Sequence, residues 1–126
     1  MQVFKTRWFA RFARQERITN ANLLEAIARA ERGLIDADLG GGLIKLRMAR
    51  QRQGRSGGYR TLIAYRAGSK AFFLHGFAKS NRDNIGEDEL NAFKKFGGRL
   101  LTADVQTLNG MLEDGSLKEI DDDKEE

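Results

Sequence analysis

Positive charge is the chemistry this chain offers. Lys45 and Arg47 stand two apart in Leu43-Ile44-Lys45-Leu46-Arg47-Met48-Ala49-Arg50. Arg52, Arg55 and Arg60 follow within a glycine-rich stretch, and Lys79 and Arg82 come at the end of the apolar run that begins at Ala71. His75, inside that run, is the only histidine, and there is no cysteine. One imidazole, without thiols or a compact group of acids, gives no ligand set for a catalytic metal, and no cofactor is expected. No serine stands in a nucleophile elbow, and Gly54-Arg55-Ser56-Gly57-Gly58 lacks the Gly-Lys-Ser/Thr ending of a nucleotide cradle. What remains is arginine and lysine on fixed strands, a set suited to holding a phosphate and offsetting charge that develops on it.

Cations of this kind serve one reaction at phosphorus. RNA is cut without a metal when a protein holds the 2′-OH in line with the adjacent phosphate and withdraws its proton. It must also offset charge on the phosphorane-like transition state and protonate the leaving 5′ oxygen. Lysine acts as a base only where other cations or desolvation favour its neutral form, so the scheme depends on Lys45 clustering with Arg47, Arg60 and Lys79. Each residue has a plainer reading. Lys45 and Arg47 suit solvated strand positions, and Arg60 could pair with an acid such as Asp83. His75, among Phe72, Phe73, Leu74 and Phe77, reads as a packed or hydrogen-bonded imidazole or as a catalytic base.

A sheet must position these side chains. Tyr59 to Arg66 is rich in aromatic and branched residues and predicts a strand, Ala67-Gly68-Ser69-Lys70 a turn, and Ala71 to Ser80 a second, antiparallel strand. Two-residue alternation puts Tyr59, Thr61, Ile63 and Tyr65 on one face and Arg60, Leu62, Ala64 and Arg66 on the other. Leu43 to Arg50 predicts another strand, with Lys45, Arg47 and Ala49 on the face opposite Ile44, Leu46 and Met48. The hairpin returns Lys79 and Arg82 beside Arg55 and Arg60, so positive charge gathers at one end of the sheet. Gly54 to Gly58 is expected as a turn within a mobile basic loop, Gln51 to Gly58, whose Arg52 and Arg55 could close on a polyanion.

Ahead of the sheet, Val3 to Thr6 is expected as a short edge strand. Trp8, Phe9, Phe12 and Ala13 recur at helical spacing as a buried stripe behind a Thr6 cap. A second helix starts after Thr19 or Asn20, with Leu23, Leu24, Ile27 and Ala28 or Ala30 inward and Gly33 at its end. Leu34 to Gly42, with three consecutive glycines, reads as a loop. After the hairpin, Glu87, Asp88 and Glu89 open a helix whose Phe93 and Phe96 should cover the sheet, and Gly97-Gly98 end or kink it. Thr102 is expected to cap a last helix with Val105, Leu108, Met111 and Leu112 inward, followed by Gly115 and a short extended segment from Ser116 to Ile120. The fold class is α+β: a small antiparallel sheet of about four strands packed against two N-terminal helices, with C-terminal helices.

The chain has 126 residues, 40% hydrophobic and 32% charged, which fits a single soluble domain over 1–120 with an acidic tail at 121–126. Its net charge of +4 conceals a division. Met1 to Arg82 carries 17 Lys+Arg against 5 Asp+Glu, a balance of +12, and Asp83 to Glu126 carries 5 against 13, a balance of −8. The first part resembles a polyanion-binding surface, and the tail reads as a solvating segment or as a competitor for the basic cleft. No apolar run nears the roughly 20 residues of a bilayer span and the N-terminus lacks a signal core, so a cytoplasmic address without membrane contact is expected.

Three segments carry a resemblance: Leu43-Ile44-Lys45-Leu46-Arg47, Arg55-Ser56-Gly57-Gly58-Tyr59-Arg60, and the run from Phe72 through His75, Lys79 and Arg82 to Ile85. In order and length they resemble the RelE/ParE toxin superfamily, in particular its HigB-like branch. The resemblance implies the toxin of a type II toxin-antitoxin system, a ribosome-dependent mRNA endoribonuclease that inhibits translation. Its targets would be mRNA and the rRNA of the ribosome, and its protein partner a helix-turn-helix antitoxin. Carried residue by residue, the resemblance places Lys45 and Arg47 on the strand that faces RNA, with Lys45 a candidate for lowering or accepting the 2′ proton. Arg60 looks like the phosphate-binding arginine, and Lys79 or Arg82 like the basic site after the final strand. No tyrosine follows Arg82, where Asn84-Ile85 stand, so the general acid is left unassigned. The candidate catalytic set is Lys45, Arg60, Lys79 and His75, with Arg47, Arg52, Arg55 and Arg82 as RNA contacts. The same superfamily implies two alternatives: a ParE-like gyrase inhibitor, and a catalytically inactive nucleic-acid-binding regulator.

Overall fold

Two threonines start the first two helices. The computed structural model describes residues 1–50, 54–78 and 85–121. Strand β1 (Gln2–Thr6) passes directly into α1 (Arg7–Gln15), because Thr6 is extended and its hydroxyl oxygen accepts the Phe9 N–H at 3.1 Å. Helix α2 (Asn20–Glu31) opens on a capping box, in which Thr19 Oγ1 accepts from the Asn22 N–H and Asn22 Oδ1 accepts from the Thr19 N–H. The two helices end alike. Ile18 N–H reaches Ala13 O at 2.8 Å, and Leu34 N–H reaches Arg29 O at 3.0 Å. Arg17 (φ 59°) and Gly33 (φ 83°) take the left-handed position in between.

The remaining strands are β2 (Ala37–Gly40), β3 (Leu43–Arg50), β4 (Gly54–Arg66), β5 (Lys70–Ala78) and β6 (Leu117–Ile120). They join β1 in one six-stranded sheet, ordered β2-β3-β4-β5-β1-β6. The α+β class is as expected, but the sheet is larger and mixed. Strand β1 is not at the edge: it runs parallel to β5 and antiparallel to β6, so the C-terminal segment takes the edge position. The stretch expected as a loop contains β2, which pairs with β3, and Gly40, Gly41 and Gly42 all have positive φ in the turn between them. Gly54 to Gly58 form no turn. They begin β4, whose ladder runs from Gly54 opposite Arg50 to Ala64 opposite Leu43.

Helices α1 and α2 cover one face of the sheet, where Phe9, Ala13, Leu23, Ala26 and Ile27 pack on Val3, Ile44, Leu46, Met48, Ile63 and Phe73. Helices α3 (Glu87–Thr102) and α4 (Val105–Glu113) cover the other, where Leu100, Leu101 and Leu108 pack on Phe4, Leu43, Leu62, Ala64, Phe72 and Leu74. Gly97-Gly98 do not end α3. A Cβ on Gly97 would lie 3.0 Å from that of Ala64, so the glycine is where the helix comes down onto β4. Thr102 falls inside α3, and Asp104 caps α4 by accepting the Thr107 N–H at 2.8 Å. Val105, expected inward, is 71% exposed. Of the two α2 alanines expected inward as alternatives, Ala30 is buried and Ala28 is exposed, and Ala26 is buried as well.

Candidate active site

The expected cations lie on the sheet face that carries α3. On β3 and β4, Arg47 is opposite Arg60 and Lys45 is opposite Leu62; on β5, Phe77 is opposite Arg60 and His75 is opposite Leu62. Two rows therefore cross three strands, Arg47-Arg60-Phe77 and Lys45-Leu62-His75. Strands lie about 5 Å apart, so each row spans roughly 10 Å. A bulge between Leu62 and Ile63 makes the second row possible. Ile63 pairs with Phe73 and Leu62 with His75, leaving Leu74 as an extra residue, and Leu74 and His75 both serve the α3 side.

Each cation has a different environment. Arg60 is half-buried, and its Nε is buried and meets no acceptor among the described residues. A guanidinium so placed keeps donors in hand for an anion from outside. Arg47 has a 48% exposed side chain whose Nε lies 3.6 Å from Asp36 Oδ1, and Asp36 Oδ2 also accepts the Arg47 backbone N–H. This acid offsets part of the positive charge that two arginines opposite one another create. Lys45 is half-buried and lines a small cavity of about 100 Å³ whose other walls are Leu39, Leu62, Phe77, Ile85 and Leu90.

His75 belongs to a neighbouring cavity. Its ring centroid lies 4.5 Å from that of Trp8 and 4.9 Å from that of Phe93, between α1 and α3. It lines a cleft of about 450 Å³ with Thr6, Arg7, Trp8, Leu74, Phe93, Phe96 and Ser116, none of which lines the cavity at Lys45. The strand register thus sets Lys45, Arg47 and Arg60 at neighbouring positions of one face. Lys45 lies in the small cavity and Arg47 at a separate groove with Arg29, Leu34, Ile35 and Asp36, and the packing sets His75 among aromatic rings. Arg52, Lys79, Arg82 and Asp83 lie outside the described residues, as does the side chain of Arg55.

Residue spacing alone gives no sign of this cleft. Trp8 was expected in a buried stripe but is 41% exposed, and Phe96, expected over the sheet, is 38% exposed. The cause lies in the sheet: β1 is paired with β5 only as far as Lys5 opposite Phe73, so from Leu74 onward β5 is paired with β4 alone. Helix α1 drapes over that end. Phe12 sits on Gly76, where a Cβ would lie 2.5 Å from its ring, and Trp8 reaches round to His75.

The family model for the RelE toxin of the RelE/RelB toxin-antitoxin system matches residues 1–120. The chain belongs to the RelE toxin family. The match covers every element from β1 to β6, and with it the whole cation-bearing sheet. A search of the curated proteins finds no match. A RelE-family toxin is one half of a toxin-antitoxin pair, so an antitoxin is the partner that membership implies. Among the described residues no helix is long and apolar enough to cross a membrane.

Proposed function

We propose that this RelE-family protein is an mRNA endoribonuclease of the HigB-like kind, which cuts translated message in the ribosomal decoding site and works in the cytoplasm. The observation that carries the reading is the row of Arg47 and Arg60 beside Lys45 on one sheet face, with a buried Arg60 N–H that no described acceptor takes. Arg60 holds the scissile phosphate and offsets charge on the phosphorane-like transition state. Its planar guanidinium, rooted in the middle strand of three, is oriented before the substrate arrives. Lys45 withdraws the proton of the 2′-OH, whose oxygen attacks phosphorus while the bond to the 5′ oxygen breaks. The products are a 2′,3′-cyclic phosphate and a 5′-hydroxyl. The leaving oxygen takes its proton from Lys79 or from water, and His75 stands as an alternative base. Arg47, Arg52, Arg55 and Arg82 bind flanking phosphates of mRNA and rRNA. The antitoxin, a helix-turn-helix protein, neutralises the toxin by covering this face or by blocking entry to the ribosome.

The test is induction without the antitoxin, followed by mapping of transcript 5′ ends. New ends inside translated codons, lost in an Arg60→Ala variant made at the same level, are the expected result. Growth arrest with a DNA-damage response and no new ends would replace this reading with gyrase inhibition. No arrest and no new ends would leave a nucleic-acid-binding regulator.

A further inference from the structure

The cleft between α1 and α3 is unused by the cleavage scheme except at His75, and its lining is of one kind. Trp8, His75 and Phe93 form a stack, and Phe96 stands on the same cleft, 38% exposed and without a ring partner among the described residues. At about 450 Å³ the cleft falls in the range of small-ligand sites, roughly 300–1,000 Å³. Trp8 also stacks on Phe12, ring centroids 5.7 Å apart, so the ring left for a flat, apolar-faced guest is that of Phe96, against the exposed edge of Trp8.

The rim indicates the guest's charge. Arg7 is pinned there, with Nε donating to Gly115 O at 3.2 Å and Nη2 to Asp114 O at 3.0 Å. The Asp114 carboxylate is held by the Ser116 hydroxyl and N–H, which lower its pKa below the usual carboxylate range. From Arg7 the exposed arginines continue along α1 as Arg11 and Arg14, at i+4 and i+7, on one helix face within a rise of roughly 10 Å. The charge of Arg7 also acts on the Asp114 carboxyl and is met in part within the chain. Among the described residues neither Arg11 nor Arg14 has a carboxylate within ion-pair reach, and α1 itself contains no acid. Stacking faces beside a track of cations are the two parts of a single-strand nucleic-acid site.

We infer that the cleft is a nucleobase subsite. One unstacked base of a single-stranded RNA enters between Phe96 and the Trp8-His75 stack, while Arg7, Arg11 and Arg14 follow its phosphates along α1. This deepens the nuclease reading and rests on it for RNA as the ligand. It adds a second contact surface, separate from the phosphate held by Arg60. In this scheme His75 is a wall of the subsite, positioned by Trp8 and Phe93.

Trp8 is the only tryptophan, so its fluorescence reports on the cleft alone. The probes are a six-nucleotide oligoadenylate and an abasic ribose-phosphate strand of the same length, each also followed by anisotropy of an end label. The oligoadenylate should quench Trp8 and the abasic strand should bind without quenching. Phe96→Leu should weaken the oligoadenylate roughly tenfold while leaving the abasic strand unchanged. Arg11→Gln with Arg14→Gln should weaken both strands alike and reduce the salt dependence. Because Phe96 is on the surface, a thermal melt of its variant should match the parent. Bound oligoadenylate with unquenched Trp8, equal quenching by both strands, or quenching by N-acetylphenylalaninamide but not by the oligonucleotide would each overturn the inference. The parent protein separates the two readings: transcript cutting without Trp8 quenching removes the subsite alone, and quenching without cutting removes the nuclease alone. In Arg60→Ala, cutting should be lost while quenching of Trp8 by the oligoadenylate persists.

Discussion

The two ends of the β4-β5 hairpin carry charge to opposite purposes. At the turn, Gly68 takes φ 71° and its N–H donates to Glu31, as does the Tyr65 hydroxyl. These bonds, Tyr65 first, hold the Glu31 carboxyl below its ordinary range and tie α2 to the sheet. Burial, and then the bond to Glu31, push the Tyr65 phenol up to about 12. At the other end Arg60 faces Arg47 across the ladder, and its buried Nε meets no described acceptor. The turn end meets its polar groups from within the chain and so serves the fold. The open end keeps like charges side by side, a stability cost of a few tenths of a kcal/mol or more, which is useful only if an external anion arrives.

Removing the open-end guanidinium should have the largest effect. Arg60→Ala is expected to lower transcript cutting by roughly 10²–10³-fold, with a thermal melt equal to or slightly above the parent's. Arg60→Lys should recover only part of the activity, because an ammonium lacks the planar fork that a phosphate accepts. If the melt fell as far as the activity did, the arginine would belong to the fold and the contrast between the two ends would be void.

Packing at Gly97 gives the next effect. A valine there must push α3 off Ala64, and overpacking of this kind costs roughly 1–3 kcal/mol. Denaturant titration should show that loss, and cutting should fall along with stability, since α3 borders both cavities.

At the turn end, Tyr65→Phe should lower the melting temperature by a few degrees and leave cutting unchanged. The pH dependence has a definite sign. A phenol raised to about 12 contributes stability that is fully present below its ordinary value and is lost as pH rises towards 12. Glu31, depressed in the fold, contributes above the ordinary carboxylate range and loses that contribution as pH falls through its lowered value. The phenylalanine variant should lack the alkaline loss. Persistence of that loss in Tyr65→Phe would assign it to another group.

Much of the positioning frame was legible in the residues, for local reasons. Thr6 and Thr19 announce helix starts because a side-chain oxygen is needed there. Alternation along β3 and β4 puts Lys45, Arg47 and Arg60 on one face because the strand period is two. What escaped depends on distant partners. The interior place of β1 follows from its pairing with β5 some 68 positions away. Gly54 to Gly58 carry almost no strand signal, and their strand character comes from the ladder with β3. Trp8 and Phe9 are neighbours on a helix and cannot both face one core. Nothing local to the pair decides which is buried; the end of β1 does. The aromatic cleft was hidden for the same reason, since its walls come from α1, β5 and α3 and meet only through the bulge at Leu74 and the drape of α1.

The smallest expected effect concerns the two helix ends built alike around Arg17 and Gly33. Glycine takes the left-handed position without strain, whereas an arginine there costs about 1 kcal/mol. Arg17 is exposed and lies just past the end of α1, after the helix's Arg7, Arg11 and Arg14. Arg17→Gly should therefore raise stability by about 1 kcal/mol in denaturant titration and weaken RNA binding slightly, with a shallower salt dependence. A gain in stability without any change in binding would mean that this arginine contributes nothing to the phosphate track. A change in both would place it with Arg60, among cations kept at a cost to the fold because an anion from outside the chain meets them.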